Sequence, residues 1–472
     1  MKNSSQKVWG KMSSMMLLVL LVLVGSACNR KDEQRVSPYY VGQNTPAFAY
    51  MEFDPKLKLD RVTFHIDNRK MRIWNSQYLP FGTEVDSAYL NMGISNQLGV
   101  TILNETTGKR VENWDSAKGD QLIEIKGGKL KVIVEKGDAP TLSYDLRLMG
   151  YGYDPNKLTW ARQEQRLPVK SDRARVLELD EEKYWLTRLG SDASALYRIT
   201  SLSPILFDEV AEANIPSKLA PESLLRDHIG DVWAVTDEGL LYKSSDLRVW
   251  EMVELGSIRL TLLISDRTTD DNATLLTAVG YDTAEPETFF TYTIESGVVE
   301  KGVQLDAGFP VREAYIYTYQ VAGKTHSNIF SGLTADGTPA VSSFFTSDGI
   351  NWGEAPYSNN ALAETLPVRG GLFLNPFNNK DIYVVGGIYN GGEPSNRICK
   401  SDDRGNAWKE LSKEQAPGET FRPRHGASGL IGSYVGGMPQ FYIFGGNIGG
   451  ESSDEIWLGW LDTTGGILND FD

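Results

Sequence analysis

A short turn that ends in a tryptophan recurs through the C-terminal two thirds of the chain. Its clearest copy runs from Ser401 through Asp403 and Gly405 to Trp408 and reads S-x-D-x-G-x-x-W. A contracted copy holds Asp348 and Trp352, and a weaker one holds Asp246 and Trp250. Each copy follows an apolar, strand-like run. A turn-plus-tryptophan unit that recurs roughly every 45 to 56 residues is typical of a β-propeller.

The repeats predict six blades. Six outer strands are expected, running through Trp160, Phe207, Trp250, Val299, Trp352 and Trp408. Six apolar inner sets alternate with them, the clearest around Ile382–Val385 and Phe441–Phe444. The strand around Trp160 precedes the first inner set, so we expect it to complete the last blade beside Trp457 and Trp460, which removes open sheet edges. Seven blades stay open as an alternative if two weak repeats have been merged.

The repeated turns resemble the Asp box of sialidases and related propellers. Physically, the carboxylate accepts backbone N–H bonds across the turn, and the glycine supplies a positive φ. The resemblance implies a structural role at the outer rim, far from the pore. We therefore interpret the turn residues as structural, namely Ser401, Asp403, Gly405, Trp408, Asp348, Trp352, Asp246 and Trp250.

Other segments resemble kelch repeats, namely the Tyr-x-x-Gly-Gly strand ends and the segment Pro423-Arg424-His425. Similar Pro/Arg starts at Arg312 and Arg369 would place three arginines in equivalent positions of the last three blades. If these positions surround the axis, the guanidiniums could bind a carboxylate by bidentate hydrogen bonds. The alternative is that each arginine braces a neighbouring blade. His425 and Tyr389 are further ligand-binding candidates, since a loop tyrosine can stack on a sugar face.

The sequence supports an enzymatic function less well than a binding function. The resemblance to sialidases would also require an Arg-Ile-Pro segment, a tyrosine nucleophile paired with a glutamate, and an acidic aspartate. The sequence contains no Arg-Ile-Pro, and no tyrosine is marked out by spacing. The four histidines form no metal-ligand pattern, and the acidic turn 266–272 lacks the spacing of a calcium loop. We expect no catalytic residue, metal or cofactor.

The N-terminal residues have the pattern of a targeting segment. Lys2, Lys7 and Lys11 precede the ten-residue apolar stretch Met15–Val24, which is shorter than the roughly 20 residues that span a bilayer. Gly25-Ser26-Ala27-Cys28 resembles the lipobox of bacterial lipoproteins, which implies a signal peptide over 1–27 and lipidation of Cys28. The segment Lys31-Asp32-Glu33 is similar to a surface-export signal, or else it belongs to a charged tether over 28–45.

Charge and cysteine content limit the partners. The chain carries −15, and removal of the three signal-peptide lysines leaves 44 basic against 62 acidic residues, a net −18. Nucleic-acid binding is therefore disfavoured, and we expect the membrane link to be the acyl chains. Cys399 is the only other cysteine, so a disulfide framework is not expected.

Residues 46–155 show period-two patterning with short turns, which predicts an immunoglobulin-like β-sandwich ahead of a propeller over 156–472. Strand-like runs include 61–67, 100–104 and 142–148. The runs 121–125 and 130–134 flank Gly127-Gly128, a pattern that predicts a β-hairpin. The chain is thus expected to be all-β.

The whole sequence resembles a family of Bacteroidetes lipoproteins that pair a sandwich-like domain with a propeller. The resemblance rests on the lipobox, the segment 79–83 and the repeated blades, and it implies no particular activity. We therefore expect a non-enzymatic outer-membrane lipoprotein, surface-exposed if the export signal acts, whose propeller binds a glycan or a protein partner. The alternatives are a glycan-active enzyme of the sialidase or epimerase type and a scaffold subunit of an outer-membrane complex.

Overall fold

The computed structural model describes residues 45–53, 59, 61–94, 99–115, 121–136, 139–268, 273–355, 365–375 and 380–471. The signal peptide, Cys28, the tether up to residue 44 and part of the acidic turn (269–272) lie outside them. The regular secondary structure of the described chain is almost entirely strand, with a 3-10 turn at Pro221–Ser223. None of its helices is long and apolar enough to cross a membrane.

The described residues form two compact units. One contains the chain up to Pro155 together with the segment from Thr463 onward, and the other contains Asn156–Asp462. The C-terminal segment, which the sequence analysis placed with the propeller, thus belongs to the first unit. It is held there by pairing between Gly150–Tyr151 and Ile467–Leu468 and by a hydrogen bond from Asn469 Nδ2 to Leu148 O (2.9 Å).

The first unit is a β domain. Its strands are β1 (Pro46–Glu52), β2 (Val62–Asp67), β3 (Arg72–Asn75), β4 (Ser87–Ile94), β5 (Gly99–Asn104), β6 (Arg110–Val111), β7 (Leu122–Glu124), β8 (Lys129–Lys136), β9 (Ala139–Arg147), β10 (Gly150–Tyr151) and, near the C-terminus, β36 (Ile467–Leu468). Nine of the described strands pair in the order β6-β5-β8-β9-β3-β2-β1-β4-β7, with β3 and β9 parallel.

Strands from both ends of this order share one core. Ile102 of β5 and Ile123 of β7 belong to the same buried cluster, although six strands lie between β5 and β7 in the order. The predicted hairpin around Gly127-Gly128 is wrong, because β7 pairs with β4 whereas β8 pairs with β5 and β9. The two glycines, both at positive φ, instead carry the chain from one part of the sheet to the other.

The second unit is a six-bladed β-propeller. Blade 1 consists of β12 (Ala174–Leu179), β13 (Glu182–Leu189), β14 (Ala193–Leu202) and β15 (Ile205–Glu209); blade 2 of β16 (Leu225–Arg226), β17 (Val232–Val235), β18 (Leu241–Ser244) and β19 (Glu251–Val253); blade 3 of β20 (Ile258–Thr268), β21 (Thr274–Asp282), β22 (Phe289–Glu295) and β23 (Val298–Gln304).

The remaining blades follow the same pattern. Blade 4 consists of β24 (Tyr315–Val321), β25 (Lys324–Phe330), β26 (Ser343–Thr346) and β27 (Gly353–Ala355); blade 5 of β28 (Leu372–Leu374), β29 (Ile382–Val385), β30 (Ile398–Ser401) and β31 (Lys409–Glu410); blade 6 of β32 (Ser428–Val435), β33 (Met438–Phe444), β35 (Glu451–Leu461) and β11 (Leu158–Ser171). The short strand β34 (Asn447–Ile448) pairs with β35.

The expected closure of the ring is confirmed. Trp160 on β11 faces Gly459 on β35 in an antiparallel pair, so the first strand of the unit completes its last blade. This pairing ties the two ends of the propeller together and covers an edge that would otherwise be open. The prediction of an all-β chain with six blades is likewise confirmed.

Apolar side chains fill the spaces between consecutive blades. The second strand of a blade is covered on both faces, so β17 (Val-Trp-Ala-Val) and β29 (Ile-Tyr-Val-Val) are buried at all four positions. A continuous apolar run is what a strand buried on both faces requires. Separate buried clusters join blade 6 to blade 1, blade 1 to 2, 2 to 3, 3 to 4 and 4 to 5.

Hydrogen bonds between blades form where the second strands of blades 4, 5 and 6 end. The N–H groups of Gly332, Gly387 and Gly446 donate to the carbonyl oxygens of Val368, Arg424 and Ser171, at 3.0, 2.8 and 2.8 Å. Each acceptor lies just before the innermost strand of the next blade. The three glycines have φ values of 102°, 94° and 95°, a region that other residues adopt only with strain. We call these contacts the blade-joining hydrogen bonds.

We predict that Gly387→Ala destabilises the propeller by about 3 kcal/mol or more. A Cβ at Gly387 would lie against Pro367 Cβ and 2.9 Å from the Gly371 Cα, in addition to the strained φ. The measurement is the free energy of unfolding by urea titration. Gly392→Ala is the matched control, because Gly392 also has a positive φ of 84° but has open space around it. We expect a loss of only about 1 kcal/mol there, and equal losses in the two variants would contradict the account.

Candidate functional site

One face of the propeller brings together the side chains that precede the innermost strands. Because the strands of a blade alternate in direction, the loop after the second strand lies on this same face. Backbone bridges pair Arg312 with Leu333, Arg369 with Ile388 and His425 with Asn447. Each pair joins the residue before an innermost strand to the loop after the second strand. We call this the entry face.

These pairings place His425, rather than Arg424, in the position equivalent to Arg312 and Arg369. Arg424 lies one residue earlier, where its carbonyl accepts the blade-joining hydrogen bond from Gly387. The corresponding acceptor in the preceding blade is Val368. The expected equivalence of the three arginines is therefore wrong by one residue, and the Pro/Arg pattern alone could not reveal the shift.

Arg424 is a structural residue. Its side chain is 0% exposed, and it donates to the Gly445 carbonyl (3.1 Å) and to Glu455 Oε2 (3.0 Å). Its guanidinium also lies over the Phe421 ring, 4.2 Å from the centroid. Burial lowers the pKa of Arg424, and the Glu455 carboxylate opposes that shift. Arg424 thus braces blade 6 and is not accessible to a ligand.

Arg312 and Arg369, by contrast, are both exposed. Their guanidiniums form no ion pair with any residue in the described part of the chain, and that of Arg312 lies 5.7 Å from the centroid of the Phe289 ring. A guanidinium in this state presents its donor groups to solvent and can accept a planar anion by two parallel hydrogen bonds.

His425 is half-buried near Arg369. Burial lowers its pKa, the charge of Arg369 lowers it further, and the carboxylates of Asp172 and Glu313 act in the opposite sense. These interactions place all four side chains in one electrostatic neighbourhood. With its pKa below the ordinary value, His425 is neutral at pH 7 and can donate or accept one hydrogen bond there.

Asp172 occupies the corresponding place in blade 1. It follows Ser171, whose carbonyl accepts the blade-joining hydrogen bond from Gly446. The Arg424 carbonyl accepts the equivalent bond from Gly387. Asn447 Nδ2 donates to Asp172 Oδ2 at 3.2 Å. Four consecutive blades thus present Arg312, Arg369, His425 and Asp172 at one position of the entry face.

The neighbouring charged side chains of blades 1 and 2 form ion pairs with one another. The Arg173 guanidinium contacts both oxygens of Asp237 (2.9 and 3.3 Å) and also Glu222. Arg188, which is buried, donates to Asp237 Oδ2 (3.2 Å) and to the Leu219 carbonyl (2.9 Å). This part of the face is a closed network, so its capacity for an external anion lies on the side of blades 4 and 5.

Deeper in the ring, Arg175 of blade 1 interacts electrostatically with Tyr315 of blade 4. Arg175 Nη1 donates to the Glu222 carbonyl at 2.7 Å, and the Tyr315 ring stacks on Phe373 with centroids 4.0 Å apart. Burial raises the pKa of Tyr315. Both side chains are therefore fixed by contacts within the propeller.

Tyr389 does not present an open ring. Burial raises its pKa, and the Cys399 thiol acts in the same direction. Its hydroxyl is enclosed, and the Arg397 guanidinium lies 5.5 Å from the ring centroid. The buried Cys399 has its own pKa raised to about 11 by burial, and its thiol donates to the Thr365 carbonyl at 3.2 Å. The Tyr389 ring is therefore only partly exposed, and its hydroxyl is turned into the protein.

The repeated turns join the third and fourth strands of blades 2, 4 and 5, on the face opposite to the entry face. In the last copy, Asp403 Oδ1 accepts the Ser401 hydroxyl (2.8 Å) and the Ala407 N–H (2.9 Å), and Trp408 Nε1 donates to the Gly405 carbonyl (3.0 Å). Asp246 makes the same kind of contacts with Ser244, Arg248 and Val249. These aspartates are engaged in holding their own turns.

The turn around Asp348 shows the electrostatic consequence. Burial opposes ionisation, but hydrogen bonds from the Asn351 side chain and from the N–H groups of Asn351 and Ile350 outweigh it and lower the pKa of Asp348 to about 2. Trp352, which ends this turn, packs at 5.2 Å on Phe309. An aspartate so strongly committed to the ionised form is a poor proton donor near neutral pH.

The middle residue of each turn contacts the preceding blade. A Cβ on Gly405 would collide with the Phe330 ring, and one on Gly349 would lie 2.8 Å from Thr277 Oγ1. Leu247 takes this place in the first copy, with φ at 64° and its side chain buried among residues of blades 1 and 2. The turns therefore act as joints between blades.

No group of three metal-ligating side chains occurs among the described residues. His228 Nδ1 lies 2.9 Å from Asp266 Oδ2, His65 packs on Trp74 and His326 packs on Tyr319. Sequence reasoning missed Asp172, Glu313, Arg175 and Tyr315. None of them belongs to a recognisable motif, and only the strand pairing brings them to the axis.

Comparison with known proteins identifies the family. Residues 154–469 match the model described as the DUF6242 beta propeller domain, and residues 40–148 match the N-terminal domain of DUF6242, a domain of unknown function. The chain therefore belongs to the DUF6242 family. No curated protein matches it in sequence.

Several solved structures are similar. The structure of YjhT is 12% identical and aligns over 62% of this chain and 95% of its own, with a TM-score of 0.41. A DUF4623 family protein from Bacteroides eggerthii is 11% identical over 88% of this chain and 98% of its own (TM-score 0.35). The SapL1 lectin in complex with alpha methyl fucoside is 9% identical over 62% and 94% (TM-score 0.38).

We predict that Glu455→Gln destabilises the propeller by about 3–5 kcal/mol, because it leaves the buried guanidinium of Arg424 without its counter-charge. Burial disfavours the Glu455 carboxylate, but hydrogen bonds from Trp457, Arg424 and Arg422 lower its pKa from 4.5 to about 2. The stabilisation is therefore complete above pH 4.5 and disappears as the pH falls toward 2. Urea unfolding at pH 7 and pH 3 measures both effects. The exposed Glu451→Gln on the same strand is the control, and equal stability of the two variants at pH 7 would refute the prediction.

Proposed function

We propose that this member of the DUF6242 family is a cell-envelope lipoprotein whose propeller binds an acidic glycan on its entry face, without converting it. The observation that carries this proposal is the pair Arg312 and Arg369. They occupy equivalent positions of neighbouring blades, are exposed, and form no ion pair within the described part of the chain.

The overall charge of the chain favours ion pairing of its surface arginines. The chain has 62 acidic residues against 47 basic ones, so a surface arginine has an excess of carboxylates with which to pair. On the same face, Arg173 and Arg188 do pair, with Glu222 and Asp237. Two guanidiniums without such partners, at equivalent positions of neighbouring blades, are suited to an external carboxylate, which Arg binds in a bidentate manner.

A carboxylated sugar fits this arrangement. Its carboxylate would contact Arg312 or Arg369, while its hydroxyls would use His425, Asp172 and Glu313, which lie in the same neighbourhood. Because burial and the charge of Arg369 lower the pKa of His425, this side chain gains a positive charge only at acidic pH, where binding should strengthen. Acidic groups of a protein partner offer the same carboxylate chemistry without the hydroxyls.

Binding is favoured over turnover by the state of the axial tyrosine. A glycosidase of the sialidase type needs a tyrosine activated by a neighbouring base. Burial raises the pKa of Tyr315 against the opposing effect of the Arg175 cation, and no carboxylate is among the described groups that act on it. This observation supports a lectin-like propeller.

The envelope proposal gives the first unit a role as well. We infer that it is the immunoglobulin-like sandwich expected from the sequence and that it acts as a spacer above the lipidated Cys28. We further propose that residues 1–27 are a signal peptide and that an acyl anchor on Cys28 holds the protein at the outer membrane through the tether 28–45. A scaffold role in an outer-membrane complex would use the same anchor but a protein ligand.

We predict that a glycan array probed with the chain from residue 29 onward retains glycans that carry uronic or sialic acids and not their neutral counterparts. Arg312→Gln and Arg369→Gln should each weaken this binding at least about tenfold, since each removes a charge-assisted bidentate contact. Each retained glycan is then retested for cleavage by chromatography, and we expect none.

Arg248→Gln is the matched control, because Arg248 is also an exposed arginine but lies in a turn on the opposite face. Equal losses in this variant would indicate an effect of net charge and not of the site. Cleavage of a retained glycan would replace the lectin-like proposal with the enzyme. A pull-down of one membrane protein that depends on Arg369, with an empty array, would favour the scaffold.

We predict that Cys28→Ser converts the protein from a membrane-associated form into one that partitions into the aqueous phase after detergent phase separation. The change removes the thiol to which the lipid would be attached, and acyl chains supply about 0.8 kcal/mol per buried CH₂. Cys399→Ser, at a buried thiol, is the control and should leave partitioning unchanged. Continued membrane association of Cys28→Ser would refute the lipid anchor.

A further inference from the structure

The first unit contains a cavity of its own, with a volume of about 790 Å³. This volume lies within the range of small-molecule sites, about 300–1,000 Å³. Aromatic side chains, namely His65, Trp74, Tyr78, Tyr151 and Phe471, line it together with charged and amide groups. The described residues that line it all belong to the first unit, and the proposed function does not use it.

The cavity lies on the outer face of strands β2 and β3. Along β3, Ile73 and Asn75 point into the core, so Arg72 and Trp74 point outward. Across the ladder, Trp74 pairs with His65, and Arg72 pairs with Asp67. The outer face of an antiparallel pair normally carries polar residues. A tryptophan and a histidine side by side, with ring centroids 5.6 Å apart, depart from this pattern.

The C-terminal segment forms one wall of the cavity. The Phe471 ring meets Trp74 edge-on at 6.1 Å, and the Arg72 guanidinium lies 4.6 Å from the Phe471 centroid. On the other side, Tyr78 and Tyr151 meet edge-on at 5.3 Å. The aromatic surfaces are thus held by contacts with one another before any ligand binds.

The floor of the cavity is rigid. Asn75 Nδ2 donates to the Met149 carbonyl (2.8 Å) and to the Gln77 carbonyl, while Asn75 Oδ1 accepts the Met149 N–H at 2.6 Å. All hydrogen-bonding groups of this buried amide are therefore engaged within the protein. A fixed floor keeps Trp74 and Gln77 on either side of Asn75 in constant positions.

Polar groups above this floor remain available. Asp67 Oδ1 accepts the N–H groups of Arg69 and Lys70 at 2.9 and 3.0 Å. Oδ2 is therefore the oxygen that a ligand could use. The Lys70 N–H bond is the main cause of a lowered pKa at Asp67, so the carboxylate is ionised and fixed in orientation. The Gln77 side chain is exposed at the same rim.

We propose that this cavity binds a hexose-type sugar unit. A sugar ring has an apolar C–H face and a rim of hydroxyls, and the cavity offers both complements. Its apolar face would stack on Trp74, and its hydroxyls would donate to Asp67 Oδ2 and exchange hydrogen bonds with Gln77 and Arg72. Aromatic stacking combined with an ionised acceptor distinguishes such a ligand from a purely apolar one, for which Asp67 and Arg72 would be costly to desolvate.

The test is saturation-transfer difference NMR on the chain from residue 29 onward, with the methyl glycosides of glucose, galactose, mannose and N-acetylglucosamine as probes. We expect ring C–H protons of at least one glycoside to be saturated. Trp74→Ala should weaken that binding at least about tenfold, and Trp74→Phe should recover part of it, because a phenyl ring keeps an aromatic face.

Two further variants separate binding from folding. Asp67→Asn keeps the Oδ1 acceptor that holds the turn but removes the charge at Oδ2, so we expect weaker binding with an unchanged unfolding midpoint. Phe81→Ala, at a 51% exposed aromatic residue outside the cavity, should bind normally. So should Arg312→Gln/Arg369→Gln, which alters only the propeller. Absence of saturation for all four glycosides, or undiminished binding by both Trp74→Ala and Asp67→Asn, would overturn the proposal.

Discussion

The blade-joining hydrogen bonds are the contacts on which the propeller and its candidate site depend. In three successive junctions, the N–H of a glycine after a second strand donates to a carbonyl just before the next innermost strand. The residue that follows each acceptor is Arg369, His425 or Asp172. Since the acceptor is fixed against the preceding blade, the next side chain is held at the entry face. The backbone contact that closes the ring also positions the charged groups around its axis.

A shift of one residue along this segment changes the role of an arginine. Arg424 supplies an acceptor carbonyl, and its side chain is buried against Glu455 and Trp457. Arg369 follows the corresponding acceptor, Val368, and its side chain is exposed. A buried guanidinium needs a counter-charge to offset its lost hydration, so Arg424 has become part of the scaffold. The exposed arginines have no such constraint and remain available for a ligand.

The fold could be predicted from local patterns, because a turn with tryptophan and a Gly-Gly strand end are properties of short segments. The closure through Trp160 followed from the position of one extra strand. Pairing partners were harder: β7 and β8 flank a Gly-Gly turn yet join different neighbours, since Asn104 binds the carbonyls of Glu124 and Lys126 and holds that corner. The roles of Arg424 and Tyr389 depend on how far their side chains are buried, and the spacing of residues in the sequence does not show this.

The most direct test is a crystal structure of the chain from residue 29 onward, grown with the acidic glycan that the array retains best. The account predicts the carboxylate of that glycan between Arg312 and Arg369, with a sugar hydroxyl in contact with His425. A glycan bound at the repeated turns, or elsewhere on the propeller with both arginines free, would contradict the assignment of the entry face.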